Sequence, residues 1–386
     1  MEFGWAEEQA SFRLQLQNFL ERALPAEWDD IAGHGPGSDA QSRFSLEFCP
    51  KLAENGFLVP HWPRKYGGRD ATTWEHFIIG EEMWLRGEPR GPQYMNVNWI
   101  GPALMRFGSE AQQLEHLPPM ARGEVMWCQG FSEPNAGSDL ASLRTKAEKR
   151  GDHYLVNGSK IWTSYASQAK FCFLLARTGA DRKAGIAIFL VPMSTPGITV
   201  RKIPALIGEG DIHEVFFQDV PVRSDWRLGS EGQGWEIIMY ALRHERVGIP
   251  RYSFARRILD LAVRALQLRG AFDTAAVRTR AGLALAACEA ARLLVYRVVD
   301  LHSKANSPDA GEGPLARTAV IAAERSVVEF VVEFLPEQLT DKGHSLFRAH
   351  HQRAIAAGIA SGAAEIQLDL IARTHLQLPR ESVRAA

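Results

Sequence analysis

The chain has little cysteine and no excess of charge of either sign. Its 386 residues include only four cysteines, Cys49, Cys128, Cys172 and Cys288, and no two of these have the short spacing of paired metal ligands. This pattern predicts neither a zinc site nor a disulfide framework, and it is typical of a reducing compartment such as the cytoplasm. The 44 lysines and arginines nearly balance the 45 aspartates and glutamates, for a formal net charge of -1. We therefore expect no nucleic-acid partner.

Long apolar runs and a dinucleotide loop are also missing. No stretch reaches the roughly 18 apolar residues of a membrane span. The acidic start, Met-Glu-Phe-Gly-Trp-Ala-Glu-Glu, lacks the basic flank and apolar core of a signal peptide. We therefore expect no membrane insertion. No strand is followed by Gly-x-Gly-x-x-Gly and a helix, so a bound dinucleotide would not be held on a Rossmann half.

The apolar residues, 46% of the chain, change their spacing twice. Helical spacing dominates residues 1–125, short strand-like runs dominate 126–230, and helical spacing returns over 231–386. This order predicts an α+β multidomain fold, since the chain is longer than one hydrophobic core usually supports. We expect an N-terminal helical domain, a middle antiparallel β-barrel or sandwich, and a C-terminal bundle of four long helices over 235–268, 274–303, 314–334 and 347–376.

Two short segments carry the strongest functional signal. Residues 131–139 read Phe-Ser-Glu-Pro-Asn-Ala-Gly-Ser-Asp, and residues 157–164 read Asn-Gly-Ser-Lys-Ile-Trp-Thr-Ser. A loop rich in glycine and hydroxyl groups can hold the polar edge of a flat heterocycle through backbone N–H groups. A tryptophan at the end of the following strand can lie against the face of that ring. Together the segments predict a flavin pocket.

These segments resemble the acyl-CoA dehydrogenase family, whose flavin signature has the same Glu-Pro-x-Ala-Gly-Ser-Asp core followed by Trp-x-Thr or Trp-x-Ser. The resemblance continues through 101–102, 117–124, 217–221 and 232–235. It implies the helix–sheet–helix architecture, an FAD cofactor and an acyl-CoA substrate, with electrons passed to an electron-transferring flavoprotein. The flavin contacts that it implies are Gln129, Phe131, Ser132, Gly137, Ser138, Trp162 and Ser164, and Ser138 is also implied to contact the substrate.

The catalytic base departs from the commonest family pattern. Many members carry a glutamate just before a Gly-Thr-x-Glu-Ile-Gln segment, where this chain has Ser361, and a serine hydroxyl is too weak a base to act unaided. Either the chain lacks a base, or the base has moved. Other members supply it from the first long helix of the C-terminal domain, which makes Glu245 the candidate here and places Arg246 near CoA. The backbone N–H of Ser361 is still implied to bind the thioester carbonyl, together with a flavin ribityl hydroxyl.

The motifs that hold a neighbouring subunit's FAD in the common homotetramers are largely lost. One aligns with residues 264–268 and keeps only Arg264, and the other aligns with 337–340 and keeps nothing. This loss is similar to one subunit of the two-gene acyl-CoA dehydrogenases that act on bulky acyl groups. A homo-oligomer and a hetero-oligomer with a homologous subunit both remain open, as do a non-catalytic subunit and a flavin oxidase on the same scaffold.

Overall fold

The structure is a computed structural model that describes residues 5–35, 37–206, 212–246, 250–304, 311–340, 343–360 and 362–379, apart from the side chains of 243–246. Its helices are α1 (Glu7–Ala23), α2 (Trp28–Gly33), α3 (Asp39–Glu54), α4 (Thr73–Leu85), α5 (Gln93–Met95), α6 (Gly101–Phe107), α7 (Glu110–Ala121), α8 (Gly234–Arg246), α9 (Tyr252–Leu268), α10 (Ala275–Ser303), α11 (Glu312–Phe334), α12 (Glu337–Thr340), α13 (Leu346–Ala356) and α14 (Ala364–Leu370). Its strands are β1 (Trp127–Gly130), β2 (Lys146–Arg150), β3 (His153–Ser164), β4 (Phe171–Arg177), β5 (Ile186–Pro192), β6 (Ile198–Lys202), β7 (Ile212–Arg223) and β8 (Arg227–Leu228).

The described chain divides into two compact units. One contains residues 22–71 and 88–245, which include all eight strands, and we call it the sheet unit. The other contains residues 1–21, 72–87 and 246–386, and we call it the bundle unit. The three-domain boundaries drawn from the sequence stay a prediction.

The sheet unit is built on one eight-stranded sheet. Its strand order is β6-β7-β3-β2-β4-β5-β8, and β1 pairs with β4 beside this path. Most neighbouring strands are antiparallel, whereas β4 runs parallel to β1 and pairs in parallel with the first residue of β2, Lys146. The core side chains come from alternate positions of the long strands, for example Tyr154 and Val156 of β3. Strands β4 and β5 are buried almost throughout, which explains their continuous apolar sequence.

Two of the four long helices expected at the C-terminus are each divided in two. Helix α8 ends at Arg246 and α9 begins at Tyr252, with Pro250 between them. A proline has no N–H to donate to the helix and clashes with the preceding turn. Helix α13 ends at Ala356, and α14 begins at Ala364 after Gly362, whose φ of 92° is unsuited to a helix.

A buried carboxylate links four helices of the bundle unit. Glu81 of α4 pairs with Arg13 of α1 and accepts hydrogen bonds from the hydroxyls of Tyr252 on α9 and Tyr296 on α10. The carboxylate of the next residue, Glu82, lies 3.5 Å from Arg13. These contacts satisfy charges that would be costly to bury alone, and they join helices that are far apart in the sequence.

Within the described residues, no helix combines the length and apolar composition needed to cross a bilayer.

Candidate active site

The loop after β1 is held in a tight turn. Glu133 and Ala136 exchange two backbone hydrogen bonds of 2.9 and 3.0 Å, which close the turn around Pro134. The carboxylate of Glu133 also accepts hydrogen bonds from the backbone N–H groups of Arg144 and Thr145, at 2.6 and 2.8 Å. The exposed residues that follow the turn, Gly137 and Ser138, are thereby carried on a loop that is anchored at its base.

A buried ion pair lies beneath this loop. The ammonium of Lys160, whose side chain is 0% exposed, is 2.8 Å from Oε1 of Glu133 and donates to the carbonyl oxygen of Phe131 at 3.1 Å. Lys160 belongs to β3, and the loop belongs to the segment after β1. The pair therefore links the two segments of the flavin signature, residues 131–139 and 157–164.

The pKa values of the pair reflect burial and mutual attraction. Burial raises the pKa of Glu133, but the Lys160 ammonium and the hydrogen bonds from Thr145 and Arg144 outweigh this effect, so the pKa lies below its usual range. Burial lowers the pKa of Lys160, and Glu133 only partly offsets that shift. Each ion thus depends on the other, and removal of either would leave a costly buried charge.

Trp162 stands out in both its backbone and its exposure. The pairing of β3 with β7 shifts register between Lys160 and Thr163, so two residues of β3 oppose one of β7 in a β-bulge. Trp162 lies in this bulge with a φ of 59°, and it is 59% exposed. Such a φ is uncommon for a bulky residue and costs on the order of 1–3 kcal/mol. The bulge turns a large aromatic face away from the core, where a flat ring can stack on it.

The seven residues expected to hold the flavin lie on two segments that are hydrogen-bonded to each other. Ile161 of β3 donates its backbone N–H to the carbonyl oxygen of Ser132 at 2.9 Å, which joins the two segments directly. Phe131 and Ser132 therefore contact β3 just before Trp162 and Ser164, and Gln129 precedes them on β1.

This set fits a flat heterocycle with a polar edge. Among the described residues, Nε2 of Gln129 is buried and has no hydrogen-bond partner, although an amide nitrogen of this kind carries two donors. A carbonyl oxygen or ring nitrogen of a flavin would satisfy it. A Cβ built on Gly137 would meet nothing within 4 Å, so the loop surface there is open to a ligand.

The other expected site residues are Glu245, Arg246, Ser361 and Arg264. Glu245 and Arg246 are on α8, but their side chains lie outside the described residues, as does the whole of Ser361. Arg264 lies on the exposed face of α9 in the bundle unit, between the buried Ala262 and Leu266. The roles expected for these four residues stay predictions, as do those of the seven flavin residues.

Three family models match the chain in order. They are "Acyl-CoA dehydrogenase, N-terminal domain" over residues 6–124, "Acyl-CoA dehydrogenase, middle domain" over 128–220 and "Acyl-CoA dehydrogenase, C-terminal domain" over 232–376. The chain belongs to the acyl-CoA dehydrogenase family. This acyl-CoA dehydrogenase is 31% identical to Acyl-CoA dehydrogenase IpdE1 of Mycobacterium tuberculosis over 382 residues. The matched region covers 96% of this chain and 98% of the relative.

Solved structures agree with this assignment. One described as "Tcur3481-Tcur3483 steroid ACAD" has a TM-score of 0.90 and 26% identity, and the match covers 99% of this chain and 100% of that one. The ChsE4-ChsE5 complex from Mycobacterium tuberculosis has a TM-score of 0.88 and 26% identity, covering 98% and 100%. The expected fold class is confirmed, and the protein is an FAD-dependent oxidoreductase that dehydrogenates acyl-CoA.

The sequence interpretation missed two residues that support the site, Glu133 and Lys160. Both stand inside the quoted motifs, but no role was derived for them. The signal was present in β3, where the inward positions occupied by Tyr154 and Val156 predict that Lys160 also points inward. A lysine at an inward position needs a carboxylate partner, and Glu133 is a carboxylate in the paired segment.

Proposed function

We propose that this protein converts an acyl-CoA thioester into the 2,3-enoyl-CoA, with Glu245 as the base. The carboxylate of Glu245 takes the α-proton, the β-hydrogen leaves with its electron pair, and the carbon–carbon double bond forms between the two positions. Bound FAD supplies the acceptor for that hydride. The proposal is carried by the set of Gln129, Trp162 and the loop at 131–138, which offers an orphaned buried donor, an open aromatic face and an anchored polar loop.

The other site residues are proposed to bind and orient. Gln129 and the hydroxyls of Ser132 and Ser164 would hold the polar edge of the flavin, and Trp162 would cover one face. The backbone N–H of Ser361 would donate to the thioester carbonyl, a contribution on the order of 2–4 kcal/mol for a well-placed donor. Ser138 and Arg246 would bind the CoA portion, and Arg264 would contact the adenine half of FAD.

For the acyl group we propose a bulky body such as a steroid side chain. This rests on the proposed location of the base on α8 and on the similarity to a structure described as "steroid ACAD". We further propose that an electron-transferring flavoprotein reoxidises the enzyme.

We propose a homologous chain as partner, in a hetero-oligomer. Residues 337–340 keep nothing of the motif that reaches a neighbour's FAD in homotetramers, and Glu337 instead pairs with Arg269 of the same chain. The similar ChsE4-ChsE5 structure is a complex of two named components. Large apolar side chains on α10, Leu283 and Leu293, are exposed in this chain and would be covered in such an assembly.

The test of the reaction is the flavin spectrum of the purified protein. We expect a flavin absorbance band that bleaches on anaerobic addition of a steroid side-chain CoA and bleaches more slowly with short straight-chain acyl-CoAs. A flavin that no acyl-CoA in the panel bleaches would contradict the proposed reaction. Rapid recovery of the band in dioxygen without any protein acceptor would instead support the oxidase alternative.

The partner proposal has a separate readout in stoichiometry. We expect this chain, expressed alone, to hold less than one FAD per chain, and to gain FAD and assemble on co-expression with a homologous acyl-CoA dehydrogenase chain from the same source. Mass determination in solution and the flavin-to-protein absorbance ratio measure both quantities. A pure homo-oligomer with one FAD per chain would rule the hetero-oligomer out.

A further inference from the structure

A cavity in the sheet unit is lined by residues other than those expected to hold the flavin. It has a volume of about 680 Å³ and is formed by the start of α3, the loop between β3 and β4, the turn after β5, the end of β6 and the start of β7. Its lining residues are Asp39, Ala166, Ser167, Ala169, Lys170, Met193, Ser194, Val200, Lys202 and His213. None of them belongs to the seven residues expected to hold the flavin. The volume lies within the range of small-molecule sites.

We propose that this cavity binds a phosphate monoester that carries a small apolar group. Two lysines and two serines line the cavity, Lys170, Lys202, Ser167 and Ser194, together with the apolar residues Ala166, Ala169, Met193 and Val200. A phosphate dianion has three strong acceptor oxygens, enough to meet several such donors at once, whereas a carboxylate has two. The apolar lining provides for the rest of the ligand.

Among the described lining residues, positive and negative charges do not balance. Asp39 is the only carboxylate of this described set; it accepts a hydrogen bond of 2.8 Å from Gln168 and lies 3.8 Å from Lys202. Lys170 and Lys202 against Asp39 leave a net charge of one positive unit with His213 neutral. Protonation of His213 would raise this to two, which matches a phosphate dianion.

His213 supplies an independent sign of a ligand. Its side chain is 1% exposed, and Nδ1 lies 3.2 Å from the carbonyl oxygen of Thr163, so Nδ1 carries a hydrogen and donates. Within the described residues, Nε2 is buried and has no hydrogen-bond partner. His213 and Lys202 are directly paired across β6 and β7, which places their side chains on the same face of the sheet about 5 Å apart at Cβ.

Proton uptake should accompany binding. Burial lowers the pKa of His213; the Lys202 ammonium adds to this shift, while the Thr163 carbonyl and Asp39 oppose it. With Nδ1 donating, Nε2 of the neutral ring is an acceptor and does not attract a phosphate oxygen. A bound anion favours the protonated ring, in which Nε2 donates, so binding should raise the pKa. Affinity should therefore fall as pH rises through the pKa of the complex.

The test uses the FAD-loaded full-length protein and phenyl phosphate, in a phosphate-free buffer. Calorimetry should show saturable binding, weaker binding of inorganic phosphate and of phenylacetate, and a heat that depends on the ionisation enthalpy of the buffer. Lys170→Gln and Lys202→Gln should each weaken binding roughly tenfold or more, because each removes a charge-assisted hydrogen bond. His213→Gln should abolish the buffer dependence.

The matched control is Lys149→Gln, which removes the same charge from an exposed position on β2 outside the cavity. It should bind phenyl phosphate like the unmodified protein. The proposal is overturned if the loaded protein does not bind phenyl phosphate, if the cavity variants behave like Lys149→Gln, or if phenylacetate binds as tightly. Unchanged FAD content and thermal unfolding of the variants establish that they are folded.

Discussion

Replacement of Glu245 by glutamine is expected to leave FAD bound and to slow reduction of the flavin by acyl-CoA roughly a hundred- to ten-thousandfold. Glutamine has nearly the same shape as glutamate but cannot take up the α-proton, and a positioned base contributes a factor of this size. Anaerobic stopped-flow absorbance in the flavin band measures the rate. Binding of acyl-CoA itself should change little, so the loss should appear in the maximal rate.

Glu236→Gln is the control, because Glu236 is an exposed residue in the first turn of the same helix. The flavin of this control should be reduced by acyl-CoA at the normal rate.

A second variant tests the alternative location of the base that the family resemblance implies. Adding Ser361→Glu to Glu245→Gln should restore part of the rate. Normal reduction by Glu245→Gln alone would show that the base lies elsewhere.

The sequence could indicate candidate residues for a flavin site because they stand in two local segments. Residues 129–138 and 162–164 form two short segments, and a turn or strand end is set mostly by nearby residues. The family resemblance then supplied the pairing between them. What it did not supply is the direct contact, the hydrogen bond from Ile161 to Ser132, because a register between distant segments depends on the whole sheet.

The backbone of Trp162 could not be predicted from its neighbours. Bulky residues disfavour positive φ, so propensity places Trp162 in a regular strand. The bulge arises where β3 meets β7, some fifty residues later, and the tertiary pairing outweighs the local preference. The divided helices are a different case, because the residues that break them, Pro250 and Gly362, can be read in the sequence. A stricter use of helix-breaking residues would have predicted the break between α8 and α9 and the break between α13 and α14.

Replacement of Lys160 by methionine is expected to destabilise the protein by about 3–5 kcal/mol, the usual cost of removing one partner of a buried ion pair. The carboxylate of Glu133 would keep its two backbone hydrogen bonds but lose its only ion-pair partner among the described residues. This is a large share of a typical domain stability of about 5–15 kcal/mol. FAD should also bind more weakly, because Lys160 donates a hydrogen bond to the carbonyl oxygen of Phe131, the first residue of the loop at 131–138, which we call the flavin loop.

Urea unfolding and FAD titration of the full-length chain measure the two effects, with Lys149→Met on β2 as the exposed control. Glu133→Gln added to Lys160→Met should recover part of the stability, since it removes the uncompensated charge while keeping one acceptor oxygen for one of the two N–H groups, of Arg144 or of Thr145. FAD affinity should recover less than stability, because the bond from Lys160 to Phe131 stays absent. Equal stability and FAD affinity in Lys160→Met and Lys149→Met would mean that the buried pair neither stabilises the fold nor positions the flavin loop.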